Sequence, residues 1–317
     1  MKRRRFLAKS GMTKVCYTSY MTDPIPRLDP IDSLFAHSWR LYKERLVVAL
    51  QILFIPAGIF AAATISAAGS HPIPFLAVIL GLASFTAYIL GFIALIVCMG
   101  QKTDFDRSYR AAAGMFWPVL WIMILGGLVT FGAFVMLVVP GIIVSVWIGF
   151  SIYICVFESR RGLHALTQSR EYMRGIWWAF VGRSFLLSLV VGLPMLIIRG
   201  IFTVAFTFIL GSAASGAVVG GVVYTVLMVF TMPFEIAYSY TIYENVTRLK
   251  PEVVSGGAAP ARKFFIASAI VGIVAPIAIA GLLIFLAAKG FFHAPAPSGG
   301  DMQNPSPIMQ SSSTEPA

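Results

Sequence analysis

Charged side chains are scarce in this chain. They make up 12% of its 317 residues, about half the ~25% of an average soluble domain, which argues against a water-soluble globule. Histidine and cysteine are scarcer still, with 4 and 3 copies. His37, His71, His164 and His293 stand far apart, as do Cys16, Cys98 and Cys155, with no CxxC or other metal-ligand spacing. No grouping of Asp, Glu and His could hold a metal, so neither a metal centre nor a cofactor is expected. Apolar residues are abundant instead, at 58%. They gather in seven stretches, roughly 46–68, 75–99, 116–139, 142–157, 176–198, 219–243 and 264–288. A helix rising ~1.5 Å per residue needs ~20 residues to cross a ~30 Å hydrocarbon layer. Most of the stretches reach that length, so the chain is expected to be an all-α, polytopic membrane protein.

The net charge of +11 raises the question of nucleic acid, and its placement answers it. Of the 24 Lys and Arg, 21 lie before the first stretch or in every second connection thereafter. Arg199 and Lys289 are alone on the opposite side, and Arg183 lies within a stretch. Cations are retained on the cytoplasmic face of a membrane, so the amino terminus is expected inside and the carboxyl terminus outside. The pattern fits a multi-pass membrane protein with lipid as its surroundings and no nucleic-acid partner. Cys98 and Cys155 fall near cytoplasmic span ends, where they read as small buried apolar residues.

The ends differ from the middle. Arg3-Arg4-Arg5-Phe6-Leu7 looks like a twin-arginine signal, but Ala8 to Tyr20 lacks the apolar run that must follow. Met21-Thr22-Asp23-Pro24 offers an alternative start, with residues 1–20 an over-extended frame. Residues 1–30 are expected to be a cytoplasmic leader, 31–250 a six-span membrane domain and 251–262 a cytoplasmic linker. Residues 263–290 would form a seventh helix, and 291–317, rich in Pro, Ser and Gly, a disordered outer tail.

A unit recurs within the six spans. Each outward crossing follows a short amphipathic segment, expected to lie flat in the headgroup layer. Ile31, Leu34, Phe35, Ser38 and Tyr42 share one helical face, with Asp29 as cap and Pro30 in the first turn. Phe105, Tyr109, Ala112 and Phe116 share another, with Thr103 and Asp106 as a capping pair. In the third, Leu166, Ser169 and Met173 oppose His164, Gln168, Glu171 and Arg174. Ser108, Gly114 and Trp117 align with Ser169, Gly175 and Trp178, whereas the first copy keeps Ser38 and has Glu44 in place of glycine. Three interfacial helices are therefore expected beside a six-helix core and the seventh helix. Between the third and fourth spans, Val138-Val139-Pro140-Gly141-Ile142 reads as a tight Pro-Gly hairpin at the outer edge of the hydrocarbon.

Taken together, Pro140, Gly141, Trp147, Glu158, Gly162, Ala165, Leu166, Ser169, Gly175 and Trp178, followed by Tyr243-Glu244-Asn245, resemble a known family. It is the integral membrane domain found ahead of some bacterial glycerophosphodiester phosphodiesterases, with its stand-alone relatives. The resemblance covers roughly 31–250 and is most specific over 140–178. It implies six helices and membrane residence. The family's catalytic chemistry belongs to a separate metal-binding domain, and this sequence has no His-Arg-Gly motif to match it.

The candidate functional residues are those costly to bury. Arg183 and Glu235 each lie ~12 Å from the cytoplasmic end of their spans. An unpaired charge there costs ~2.5–3.5 kcal/mol or more. An Arg183–Glu235 ion pair is expected, with a structural clamp, a translocation path or snorkelling of Arg183 as its readings. Glu158 is expected to pair with Arg160, Arg161 or a residue of the third amphipathic helix, and His164 to face solvent. Ala83, Ala87 and Gly91, and Gly216 with Gly220, read as seams for close helix approach. Residues 200–215 either extend span five beyond Pro194 or form a re-entrant piece. The function expected is non-enzymatic, in envelope or lipid homeostasis or as membrane partner of a lipid-processing enzyme. A transporter using Arg183 and Glu235 is the alternative. Substrate, protein partners and oligomeric state are not written in the sequence.

Overall fold

The computed structural model describes residues 28–68, 74–251, 253 and 262–289, helical almost throughout and without a strand among them. Both chain ends, His71, and most of the predicted 251–262 linker lie outside the described residues. The chain forms two compact units, Met1–Gly272 and Ile273–Ala317.

The helices follow the apolar stretches. They are α1 (Ile31–Ala68), α2 (Pro74–Gln101), α3 (Phe105–Met136), α4 (Val138–Trp147), α5 (Ser151–Glu158) and α6 (Leu163–Met173). Next come α7 (Trp177–Leu187), α8 (Leu193–Leu210), α9 (Ala213–Leu249) and α10 (Arg262–Ala288). Seven segments are long and apolar enough to cross a membrane, with α4–α5 and α7–α8 each counting as one. The protein is an all-α, multi-pass membrane protein.

Two of the three amphipathic segments are not separate. Ile31–Tyr42 is the first third of α1, and Phe105–Phe116 is the start of α3. Neither is followed by a break, and α3 runs on even through Pro118. Glu44 is a good helix former, and Gly114 follows three alanines that favour continuation. Only the third copy stands alone as α6. There Gly175 takes φ +81° after an extended Arg174, a conformation open to glycine. α6 is not a surface helix either, since Ala165, Leu166, Thr167, Ser169, Tyr172 and Met173 are all buried. The aligned residues nonetheless share surroundings. Ser38, Ser108 and Ser169 are fully buried, while Trp117 and Trp178 are 74% and 79% exposed.

Helix ends also depart from expectation. Leu34 N–H donates to the Pro30 carbonyl, so the first turn opens at Pro30 and the Asp29 side chain is free for another partner. Asp104 stands at the N-cap of α3 without a side-chain capping bond, and Thr103 Oγ1 meets Ser108 Oγ at 2.7 Å instead of capping. The expected Pro-Gly hairpin is displaced. The turn is Leu137 alone, extended at φ −166°, ψ 150°, and Pro140 and Gly141 lie in the first turn of α4. Proline fits there because a first-turn N–H has no helical partner. Gly141 is needed for a different reason, since a Cβ would fall 2.4 Å from the Phe134 ring.

Prolines inside spans free carbonyls that hydrocarbon cannot solvate. Pro56 leaves the Ile52 carbonyl without its helical donor, and Tyr109 OH of α3 supplies one at 2.8 Å. Gly91 of α2 packs directly on the Pro56 ring, whereas Ala83 of the predicted seam is exposed. The Gly216–Gly220 seam is real. A Cβ at either position would fall about 2 Å from the hydroxyl of Thr207 or Thr203 on α8. Residues 200–215 continue span five as α8, turn at Gly211 (φ +64°), and enter α9. α7 joins α8 through one π-helical turn, Ser188–Gly192.

Candidate functional site: the Glu158 node and an apolar cavity

α4 and α5 form one span interrupted at Ile148–Phe150. The break exposes the Phe150 N–H, and the buried Ser169 hydroxyl of α6 accepts it at 3.1 Å. This contact gives Ser169 its place, with Ala165 and Leu166 fully buried on the same helix. α5 ends at Glu158, where Ser159 turns left-handed at φ +58° and Gly162 at φ +56° opens α6.

The carboxylate of Glu158 is the centre of the polar interior. Its Oε1 accepts from Tyr172 OH at 2.8 Å and from Tyr243 OH at 2.7 Å. Its Oε2 accepts from Gln168 Nε2. Gln168 and Tyr172 are four residues apart, so α6 presents both to one side, while Tyr243 arrives from α9. Arg160 and Arg161 are exposed and are not in an ion pair with it. Of the readings open in the sequence, the partner on the third helix is the one found. Burial pushes the Tyr172 phenol well above its ordinary value, and the carboxylate accepting its proton adds to this. Tyr172 is therefore a permanent donor. Around Tyr243 the rings of Phe150, Tyr153, Phe157 and Tyr172 lie at centroid distances of 5.6, 5.5, 6.0 and 6.2 Å. Chemically the node closes a carboxylate with neutral donors and seals it with aromatic surface.

Two further anchors hold this end of the bundle. Lys250 Nζ donates to the carbonyls of Glu171 (3.1 Å), Tyr172 (2.9 Å) and Arg174, neutralising the carboxyl end of α6. Asp29 and Asn245 bond reciprocally, the Asp29 N–H to Asn245 Oδ1 at 3.3 Å and Asn245 Nδ2 to the Asp29 carboxylate. Arg183 belongs to this second anchor. It donates to the carbonyls of Asp29 (2.7 Å), Leu28 (3.3 Å) and Ala179 (3.1 Å).

The expected Arg183–Glu235 ion pair is thus absent from the pairs found among the described residues. Its long side chain lets Arg183 reach along α7 to backbone carbonyls ahead of α1, which is the snorkelling alternative. Glu235 is half-buried on α9, within electrostatic reach of Tyr88. The other motif residues have structural places. Trp147 lies between Arg170, whose guanidinium is 4.7 Å from the ring centroid, and Phe264. A Cβ on Gly162 would touch Trp121 at 3.6 Å, and His164 is exposed as expected. Cys98 and Cys155 are buried. Among the described residues no group of three His, Cys, Asp or Glu is placed to hold a metal.

Tyr172 and Gln168 are the site residues that the sequence did not single out. Their i, i+4 spacing opposite Glu158 was the available signal, hidden because Gln168 had been placed on the solvent side of an interfacial helix. At the other end of the bundle, a cavity of about 460 Å³ opens between α1, α2 and α9. Its walls are apolar apart from Ser84, Tyr88, Tyr224 and Thr225, and neither Arg183 nor Glu235 lines it. Comparison with known families, with curated proteins and with solved structures finds no match to this chain.

Proposed function

We propose that this protein is a non-catalytic inner-membrane protein of a bacterial envelope, acting in lipid homeostasis or as the membrane partner of a lipid-processing enzyme. Its amino terminus and the α5–α6 connection face the cytoplasm. One observation carries the reading: the half-buried carboxylate of Glu158 accepts from three donors, Tyr172, Tyr243 and Gln168. A carboxylate so engaged ties three helices together, with most of its acceptor capacity taken by the protein's own donors. Arg183 likewise gives Nη1 and Nη2 to backbone carbonyls, with Nε alone left without a partner among the described residues. That favours this reading over a transporter built on Arg183 and Glu235. The motif running from Pro140 to Trp178 supports kinship with the membrane domain of glycerophosphodiester phosphodiesterases.

The test has two arms. The full chain in phospholipid nanodiscs, given glycerophosphodiesters and Mg²⁺ or Ca²⁺, is expected to show no turnover. Crosslinking in intact cells, followed by affinity capture of the tagged chain, is expected to recover a lipid-processing enzyme. Turnover by the pure chain, or proton or solute flux abolished by Arg183→Leu in liposomes, would overturn the proposal.

A further inference from the structure

The cavity between α1, α2 and α9 is unlike the rest of the interior. Its volume of about 460 Å³ falls within the ~300–1,000 Å³ typical of small-molecule sites. Phe60 and Phe85, at 45% and 54% exposed, stand at its rim. The opening therefore faces sideways, toward lipid. Ser84 in its wall is 9% exposed, and its hydroxyl is buried with no hydrogen-bond partner among the described residues. Neighbouring hydroxyls behave differently. Thr86, Thr225 and Thr231 each donate to the carbonyl one turn back, the usual refuge of a helical hydroxyl in an apolar setting. Ser84 does not use the Leu80 carbonyl, and the phenols of Tyr88 and Tyr224 also lack a hydrogen-bond partner among the described residues.

Depth narrows the occupant. Ser84 is ten residues into α2, which begins at Pro74, and so lies ~15 Å from that end and near the middle of a ~30 Å hydrocarbon layer. The ester oxygens of a phospholipid stay at the interface and do not reach that level. A lipid whose polar group is a compact ring bearing carbonyls does, since such a ring dissolves among acyl chains. Flat aromatic walls suit a ring, and the flexible side chains of Met228 and Met232 suit a ligand of irregular outline. We propose that the cavity seats a ring-carbonyl lipid of the quinone class. One carbonyl oxygen accepts from Ser84 Oγ, and the ring lies against Phe85 and Tyr88. Binding alone is inferred, with no electron transfer. The inference needs the membrane residence of the chain and not the role in lipid homeostasis.

The test uses the full chain in phospholipid nanodiscs, titrated with decyl-ubiquinone and read by native mass spectrometry. Saturable binding of one molecule per chain is expected. Ser84→Ala should weaken it about tenfold, the loss of one well-placed hydrogen bond. Gly81 lines the cavity with open space where its Cβ would stand, so Gly81→Leu should fill the seat and abolish binding with no loss of thermal stability. Thr86→Val, which alters a hydroxyl already satisfied within its own helix, should leave binding unchanged. Non-saturable uptake, equal binding by the wild type and Gly81→Leu, or a phospholipid retained in the seat in place of the quinone would each overturn the proposal.

Discussion

The Glu158 cluster and span five are built on different principles. At the Glu158 end, five of the eight residues of α5 are buried, and so are six of the eleven in α6. There side chains from α5, α6 and α9 meet in one hydrogen-bonded and aromatic cluster. Along span five, by contrast, α7 has no buried residue and α8 has only Met195. Water and lipid explain the contrast. Where helices gather polar groups in an apolar medium, each donor must find an acceptor, which fixes the geometry. Where the surface meets acyl chains, burial brings little gain, so helices touch only through small residues and leave space between them.

The strongest way to break this contrast is to disturb a backbone-to-backbone crossing. A Cβ on Gly132 would stand 1.9 Å from the Ser268 carbonyl oxygen. Gly132→Val should cost more than the ~1–3 kcal/mol of ordinary overpacking and abolish recovery of monodisperse protein in detergent. Next comes Glu158→Ala, which strands two buried phenols and an amide. A loss of ~2–3 kcal/mol is expected, read as a lower unfolding midpoint, with Tyr243→Phe showing less than half of it. Tyr109→Phe should cost ~1 kcal/mol by leaving the Ile52 carbonyl without a donor, and the same change at exposed Tyr88 should cost less.

The node should also respond to alkali. The folded state raises the Tyr172 phenol above the ordinary tyrosine value of about 10 and so holds its proton more tightly than the unfolded chain does. The resulting stability is complete below pH 10 and is lost as pH rises beyond it. Tyr172→Phe should flatten that alkaline limb in a pH series of melting curves. The smallest effect is expected from Asp106→Ala. Asp106 pairs with Arg110 at 3.5 Å, but the side chains are 76% and 80% exposed, and such pairs contribute under ~0.5 kcal/mol. A loss above 1 kcal/mol would show that this segment packs against something beyond its own helix.

How much of this could be read from the residues follows the same division. The spans were legible because seven runs of apolar side chains dictate them. The Gly216–Gly220 seam was legible because two small residues one turn apart have a direct steric meaning. The fate of the amphipathic segments was not, since Ile31–Tyr42 and Phe105–Phe116 carry the same periodicity whether they lie flat or continue into the span. Only Gly175, held left-handed, separates α6 from its copies. The Arg183–Glu235 expectation rested on matching depth. Depth gives no information about azimuth, and a side chain as long as arginine reaches carbonyls that no pairwise sequence argument considers. The Glu158 node was half legible: its carboxylate and Tyr243 stand in the motif, whereas Gln168 reads as solvent-facing and Tyr172 carries no signal of its own.

The continuous course of α1 links two regions of the molecule. At 38 residues it extends ~57 Å, nearly twice the hydrocarbon thickness. Its base is clasped to α9 through Ser38 and Thr241, and its far half walls the cavity through Leu53, Pro56 and Phe60. One helix therefore carries both the polar clasp at its base and a wall of the lateral opening.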